Sequence, residues 1–350
     1  MLIRTILFIA VFLSLFTCAQ SEHTTIPNSS IKAYFNNSAP AEITDPAIRE
    51  AFIDDRFQDT IVHYIKSAKD RIDIAMFCAE DDTITRALNQ AFKRGIDIRY
   101  IKSIDGQNNK TLDTLNKTIP VKGGREDASM HHKFMVIDQY ITLLSSANNA
   151  HWDLVSQDNN MLLIKSKPIA STFLVEFETM WAGKFGTAKS DNSQKIFVVD
   201  GKKVALYFHP TDSLNSTIAQ LLSKAEKEVV FAQMHFWGKT IADSILAVHE
   251  KGISVKGVLK SNMAAYNTSE YHYLTSKGIE ILVDTVKRGI HHKFTVIDSE
   301  SAQAIVLTGT YNWHFGSMTF DDCMLVIYDP VIAAQYRAEF SRQFSAATAL

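Results

Sequence analysis

Three cysteines, seven prolines and fourteen glycines are all that 350 residues hold of the types that staple or break a chain. Three thiols cannot build a disulfide framework, which excludes the small cystine-rich classes. So little Gly and Pro excludes collagen-like and extensively disordered organisation. Neither sign of charge is in excess, since 36 Lys and Arg stand against 38 Asp and Glu. A net charge of −2 exerts no overall pull on nucleic acid or anionic lipid, so any affinity for phosphate has to be local. What is present, 46% apolar and 21% charged residues, is the composition of a globular chain with room for two domains or one large pseudo-symmetric unit.

Residues 2–19 form an apolar stretch, LIRTILFIAVFLSLFTCA, with Arg4 near its start and a polar segment, 20–30, behind it. That is the grammar of a secretory signal, and the apolar core after Thr5 is shorter than the ~20 residues a membrane-spanning helix needs. The expectation is export: a protein that is secreted, periplasmic or lipid-anchored at the cell envelope. Leu15-Phe16-Thr17-Cys18 resembles a bacterial lipoprotein signal, which makes Cys18 a lipidation candidate; cleavage after Ala19 is the competing outcome. Cys78 and Cys323 lie beside apolar runs and are expected as buried free thiols.

One stretch occurs twice. His131-His132-Lys133-Phe134-Met135-Val136-Ile137-Asp138 returns as His291-His292-Lys293-Phe294-Thr295-Val296-Ile297-Asp298, differing only at Met135 and Thr295. The flanks repeat as well. Strand patterns over 31–36 and 204–209 are followed by amphipathic helices over 55–67 and 214–225, strands over 72–77 and 229–235, and helices over 84–93 and 241–250. Arg94-Gly95 and Lys251-Gly252 stop those helices, and strands 96–101 and 253–259 follow. Each copy closes with an apolar strand, 161–164 or 324–328, and an aromatic helix carrying Phe173, Phe177 and Trp181 or Tyr336, Phe340 and Phe344. The alternation argues for an α/β fold of two repeats, each a sheet built of βαβ units. The division is a signal at 1–19, a spacer at 20–30, repeat one at 31–185, a linker at 186–200 and repeat two at 201–350. The loops 103–130, polar, and 260–273, with Tyr266, Tyr271 and Tyr273, precede the two motifs and are placed to roof one cleft.

In a strand, His131 and Lys133 share a face. A fixed cation beside a histidine repels Zn²⁺, and no second ligand stands at the usual spacing, so neither a metal nor another cofactor is expected. The pairing suits an anion: lysine binds a phosphate oxygen as a point charge, and histidine serves as nucleophile or general acid near neutral pH. Downstream, Ser145-Ser146-Ala147-Asn148 and Gly309-Thr310-Tyr311-Asn312 each offer a hydroxyl and an amide at matching spacing.

These residues resemble the mark of the phospholipase D superfamily, His-x-Lys-x4-Asp followed by Gly-Ser-x-Asn, present twice per active site. The resemblance covers 31–350 and implies a two-lobed α-β-α-β-α sandwich in which each repeat is a mixed sheet flanked by helices, a single site between the repeats of a monomer, and no metal. It implies a two-step displacement in which His131 attacks phosphorus to give a phosphohistidine while His291 protonates the leaving alcohol and then activates water. It also implies catalytic sets His131, Lys133, Asp138 and His291, Lys293, Asp298, the aspartates orienting or structural, with Ser146, Asn148, Thr310 and Asn312 binding the phosphoryl group. Ser145 departs from the family glycine and Thr310 from its serine. The supporting carboxylate expected before the closing strand is Asp322 in copy two, but Asn159 in copy one. Unless Asp158 substitutes, His131 is then left without a carboxylate partner, and the nucleophile assignment reverses.

By resemblance the expected activity is hydrolysis of a phospholipid head-group phosphodiester to phosphatidic acid and an alcohol, with a membrane surface as a further partner. The alternative is a nuclease acting on DNA or RNA by the same chemistry, disfavoured by the neutral charge. A phosphatidyltransferase is disfavoured because the expected pair of N-terminal membrane helices is missing. An inactive phosphate-binding protein is the reading from outside the enzymes.

Overall fold

The computed structural model describes residues 29–36, 56–104, 110–126, 128–190, 195–285, 289–315 and 319–350. The expectations for the leader, Cys18 and nearly all of the spacer lie outside the described residues. Two sheets carry the chain. The first runs in the spatial order Ile31–Phe35, Asn160–Lys165, Ile141–Ser145, Lys133–Ile137, Arg71–Met76, Asp97–Lys102, Val121–Gly123. The second runs Ile196–Val199, Lys202–His209, Asp322–Ile327, Ile305–Gly309, Lys293–Ile297, Glu228–Gln233, Ser254–Leu259, Glu280–Val283. Both are mixed: Arg71–Met76 is parallel to Asp97–Lys102 and antiparallel to Lys133–Ile137, and the second sheet repeats this around Glu228–Gln233.

The strands are apolar along their length because both faces of each sheet are covered. Phe134 and Val136 point into one central core shared by the repeats, which also holds Phe173 and Phe177 of helix Lys167–Trp181, Phe294, Val296, and Tyr336 and Phe340 of helix Pro330–Ala346. Met135 and Ile137 point the other way, toward helices Arg56–Ser67 and Asp82–Lys93. Helices Leu214–Leu222 and Lys239–Glu250 cover the outer face of the second sheet. The layers are therefore α-β-α-β-α. Sequence chemistry sets the boundaries: Asp81 accepts the Ile84 N–H at 2.8 Å to start helix Asp82–Lys93, and Gly95, at φ +92°, ends it.

The structure corrects the region 186–200. Ile196–Val199 is an edge strand, not linker, antiparallel to Lys202–His209 through a two-residue turn in which Asp200 and Gly201 have φ of +51° and +74°. Asp-Gly is the strongest short hairpin signal, and it stood in the sequence. Strands Ile141–Ser145 and Ile305–Gly309 were not foreseen. The two cleft loops carry structure of their own, strand Val121–Gly123 in one and short helices Ser261–Ala264 and Glu270–Thr275 in the other. Cys78 and Cys323 are buried, as expected.

Candidate active site

Each motif enters its strand from the same end of its sheet, and there the two repeats are stitched together. His131 N–H donates to the Asp321 carbonyl at 3.0 Å, and His291 N–H donates to the Asp158 carbonyl at 2.9 Å. Each histidine is thus paired with a residue one or two positions ahead of the closing strand of the other repeat. The side chains follow: His131 Nδ1 lies 2.7 Å from Asp322 Oδ1, and His291 Nδ1 lies 2.9 Å from Asn159 Oδ1. This corrects the sequence reading, which assigned supports within a copy. His131 has a carboxylate after all, and the neutral amide falls to His291. Asp158 is not a substitute; its carboxylate meets Arg342 at 2.7 Å.

The supports also set the tautomers. Asn159 Nδ2 donates to the Asp153 carbonyl at 3.0 Å and Ser146 Oγ donates to Asn159 Oδ1 at 2.7 Å, so the oxygen of the amide is the end that faces His291. Nδ1 of His291 must then be the donor, and Nε2 of the neutral ring carries the lone pair. Asp322 imposes the same on His131.

Lys133 and Lys293 are buried, and each donates to the carbonyl of its own motif histidine, at 2.8 and 2.6 Å. Burial lowers Lys133 to about 8 despite the carboxylates of Asp322 and Asp153; burial and the charge of Lys133 push Lys293 well below its ordinary value. Burial, with Lys133 next, brings His131 down to about 4 against the pull of Asp322. Burial first, and then the charges of Lys293, Lys133 and Lys260, lower His291 well below its ordinary value. Burial alone would raise Asp322, but the charges of His131 and Lys133 hold it below the carboxylate range. Such mutual depression of bases is the electrostatics of a site shaped for a negative charge.

Two sets of expected site residues stand elsewhere. Asp138 accepts the backbone N–H groups of Lys69, Asp70 and Arg71 at 2.9–3.2 Å, and Asp298 accepts those of Glu226, Lys227 and Glu228 at 2.7–2.9 Å. Both have φ of +50°. They clamp the far ends of their strands and are structural rather than catalytic. Ser146 and Thr310 are fully buried, and their hydroxyls accept the N–H of Asn160 and of Cys323, each at 3.0 Å. They hold the strands that bear the supports instead of facing substrate. Among the described residues, Asn148 and Asn312 each keep a buried amide oxygen without a protein partner.

Several residues carried no recognisable signal. Asp153, raised by burial to about 6, fixes Asn148 through both its backbone and side-chain nitrogens. The second histidine of each doublet had a signal, its repetition, but no evident task. His132 Nε2 meets Glu176 and His292 Nε2 meets Glu339, both at 2.9 Å. Those helix glutamates also bind Lys189 and Arg342, which in turn bind Asp321 and Asp158, the residues beside the two supports.

Residues 61–181 and 218–344 match the family model described as "Cardiolipin synthase, PLD-like domain". The chain belongs to this phospholipase D-like family. A mitochondrial cardiolipin hydrolase of Xenopus tropicalis is 30% identical over 133 residues, 38% of this chain and 61% of the relative, so less than two thirds of that relative's length is matched. Among solved structures, a phosphatidylserine synthase of Haemophilus influenzae superposes with a TM-score of 0.61 at 17% identity, over 84% of this chain and 85% of that one. A polyphosphate kinase of Porphyromonas gingivalis superposes at 0.65 and 10% identity, over 90% of this chain and 47% of its own. At these identities the two structures speak for the phospholipase D-like fold alone.

Proposed function

We propose that the protein is a phosphodiesterase that hydrolyses the head-group phosphodiester of a phospholipid to phosphatidic acid and an alcohol, through a phosphohistidine on His131. The exchange of supports carries this reading, because it turns two distant motifs into one pair of histidines with Nε2 lone pairs beside two buried lysines. A phosphodiester anion held by Lys133 and Lys293 offsets the repulsion that depresses both rings, so binding itself lets His291 take up a proton. His131 Nε2 attacks phosphorus, the bond to the leaving oxygen breaks, and His291 gives its proton to that oxygen. Water then surrenders a proton to His291 and attacks phosphorus, the P–N bond breaks, and phosphatidic acid leaves. Asp322 stabilises the cationic imidazole while it bears phosphorus; neutral Asn159 leaves His291 the weaker base and so the readier acid. Lys133, Lys293, Asn148 and Asn312 surround the phosphoryl oxygens.

A lipid substrate is supported by the near-neutral charge and by relatives whose names specify cardiolipin hydrolysis. Export and lipidation at Cys18 belong to the same reading and are checked by cell fractionation of wild type and Cys18→Ser. Among the described residues no helix is long and apolar enough to cross a membrane. Purified protein is to be offered phosphatidylcholine, cardiolipin and single-stranded DNA in excess EDTA. Release of an alcohol from lipid with DNA left intact is expected. Strand scission without lipid turnover overturns the substrate, and loss of all activity in EDTA overturns the two-histidine route.

A further inference from the structure

Two imidazoles beside the reacting groups have no task in this scheme. His235 and His314 stand 5.8 Å apart, ring centre to ring centre, and among the described residues no nitrogen of either ring has a protein partner although all four are buried. Groups left unsatisfied in this way are costly to bury, so the pair marks a place where a ligand supplies the missing partners. The backbone brings them to the motif. Gln233 ends its strand between Lys293 and Leu259, and Met234 N–H donates to the His292 carbonyl at 3.0 Å, so the chain reaches His235 alongside the second motif. Lys260, one residue past Leu259, is tied to the same edge by its N–H to the Gln233 carbonyl at 3.3 Å. Its side chain is 9% exposed and donates no hydrogen bond among the described residues. His314 N–H donates to the Asn312 carbonyl at 2.8 Å, which fixes it beside the phosphoryl-binding amide. Lys293, His131 and Lys260 all act electrostatically on His235.

The arrangement is one-sided: by strand register, Cys78 and Ala150 occupy the matching places in repeat one. A metal does not fit, because among the described residues no three His, Cys, Asp or Glu side chains converge as ligands, and Lys260 and Lys293 repel a cation. Fixed positive charge beside unsatisfied imidazole nitrogens suits anionic oxygen.

We propose that His235, His314 and Lys260 form a second anion subsite that binds a further phosphate of the same phospholipid, next to the scissile phosphodiester. The identity of the lipid rests on the function proposed above; the subsite does not, and soluble probes separate the two. Inhibition of bis(p-nitrophenyl) phosphate hydrolysis is to be measured with methylphosphonate and methylenediphosphonate, or their binding by calorimetry should that ester not be turned over. Wild type is expected to prefer the diphosphonate by about tenfold or more. In His235→Gln and in Lys260→Met the preference should fall below about threefold, with methylphosphonate affinity within about threefold of wild type. His235→Asn and Lys260→Gln replace any variant that fails to fold. Equal affinity for the two probes in wild type, or an unchanged preference in both variants, overturns the subsite. With lipids, the variants should raise KM for cardiolipin and not for phosphatidylglycerol. A collapsed probe preference in a protein that turns over neither lipid leaves the subsite standing and removes the phospholipid.

Discussion

Nδ1 of His131 lies 2.7 Å from the carboxylate of Asp322, a residue of the other repeat, and Asn159 returns the arrangement to His291 with an amide. The same two rings are therefore held in the same tautomer by partners of different charge. That difference, not the motifs themselves, separates their proton affinities.

Asp322→Asn should keep the ring in place but remove the charge that stabilises it as a cation. We expect kcat to fall by about two orders of magnitude or more, with the acid limb of kcat/KM moving to lower pH because Asp322 raises His131. Asn159→Asp should raise His291 and carry the alkaline limb upward. Stopped assays across pH 4–10 decide it; activity of Asp322→Asn within threefold of wild type sinks the assignment.

His131→Ala and His291→Ala should each abolish turnover, but they should differ in what they trap. With His291→Ala, phosphorus from a substrate bearing a good leaving group, which needs no acid, should accumulate on His131 and be found there by phosphopeptide mass spectrometry. His131→Ala should trap none. Label on His291 would reverse the roles.

Asp138→Ala removes an acceptor shared by three backbone N–H groups and puts alanine at φ +50°. A loss of about 2 kcal/mol in urea unfolding is expected, with kcat of the folded protein nearly unchanged. Asp138→Asn, which tolerates that backbone region and keeps one acceptor oxygen, should recover part of it. A large fall in kcat without loss of stability would return Asp138 to the catalytic set.

The buried imidazoles of the site should make the fold acid-sensitive. His131 and His314 are lowered to about 4 and His235 to about 3, by burial and by neighbouring charge. Between those values and the ordinary ~6.5 the unfolded chain binds more protons, so stability is full above about pH 6.5 and declines as pH falls through the window. Asp153, raised to about 6, works in the opposite sense, but His291 is lowered as well and acts with those three. Scanning calorimetry should show Tm falling from pH 7 to pH 4.5, less steeply in His314→Gln, and orthovanadate should raise Tm more at pH 5 than at pH 7.5. A flat Tm across that range contradicts the assignment.

The strand and helix positions around the motifs were legible, because apolar periodicity is a local signal, and the layers followed from the resemblance that the doubled polar stretch carries. Strand Ile196–Val199 was missed although Asp200-Gly201 announced its turn; its polar surroundings read as linker. The pairing of His131 with Asp322 was illegible for another reason. It depends on which residue the opposite repeat presents across the Met130–Asp321 bridge, and nothing within one copy encodes that. Ser146 and Thr310 looked available to substrate because a hydroxyl's partner is visible only once the closing strand lies beside it. His235, His314, Lys260 and Asp153 are single residues in unlike positions, brought together by topology alone.

The stitching of each motif to the opposite closing strand has a consequence for inheritance. A change at position 322 is felt at His131 and a change at 159 at His291, so neither half drifts privately; the duplicated halves evolve as each other's environment. Two copies of repeat two placed about the same twofold would give both histidines a carboxylate, and two copies of repeat one would give both an amide. Only the unequal pair yields one strong base facing one ready acid, and a fused chain is what guarantees that unequal halves always meet.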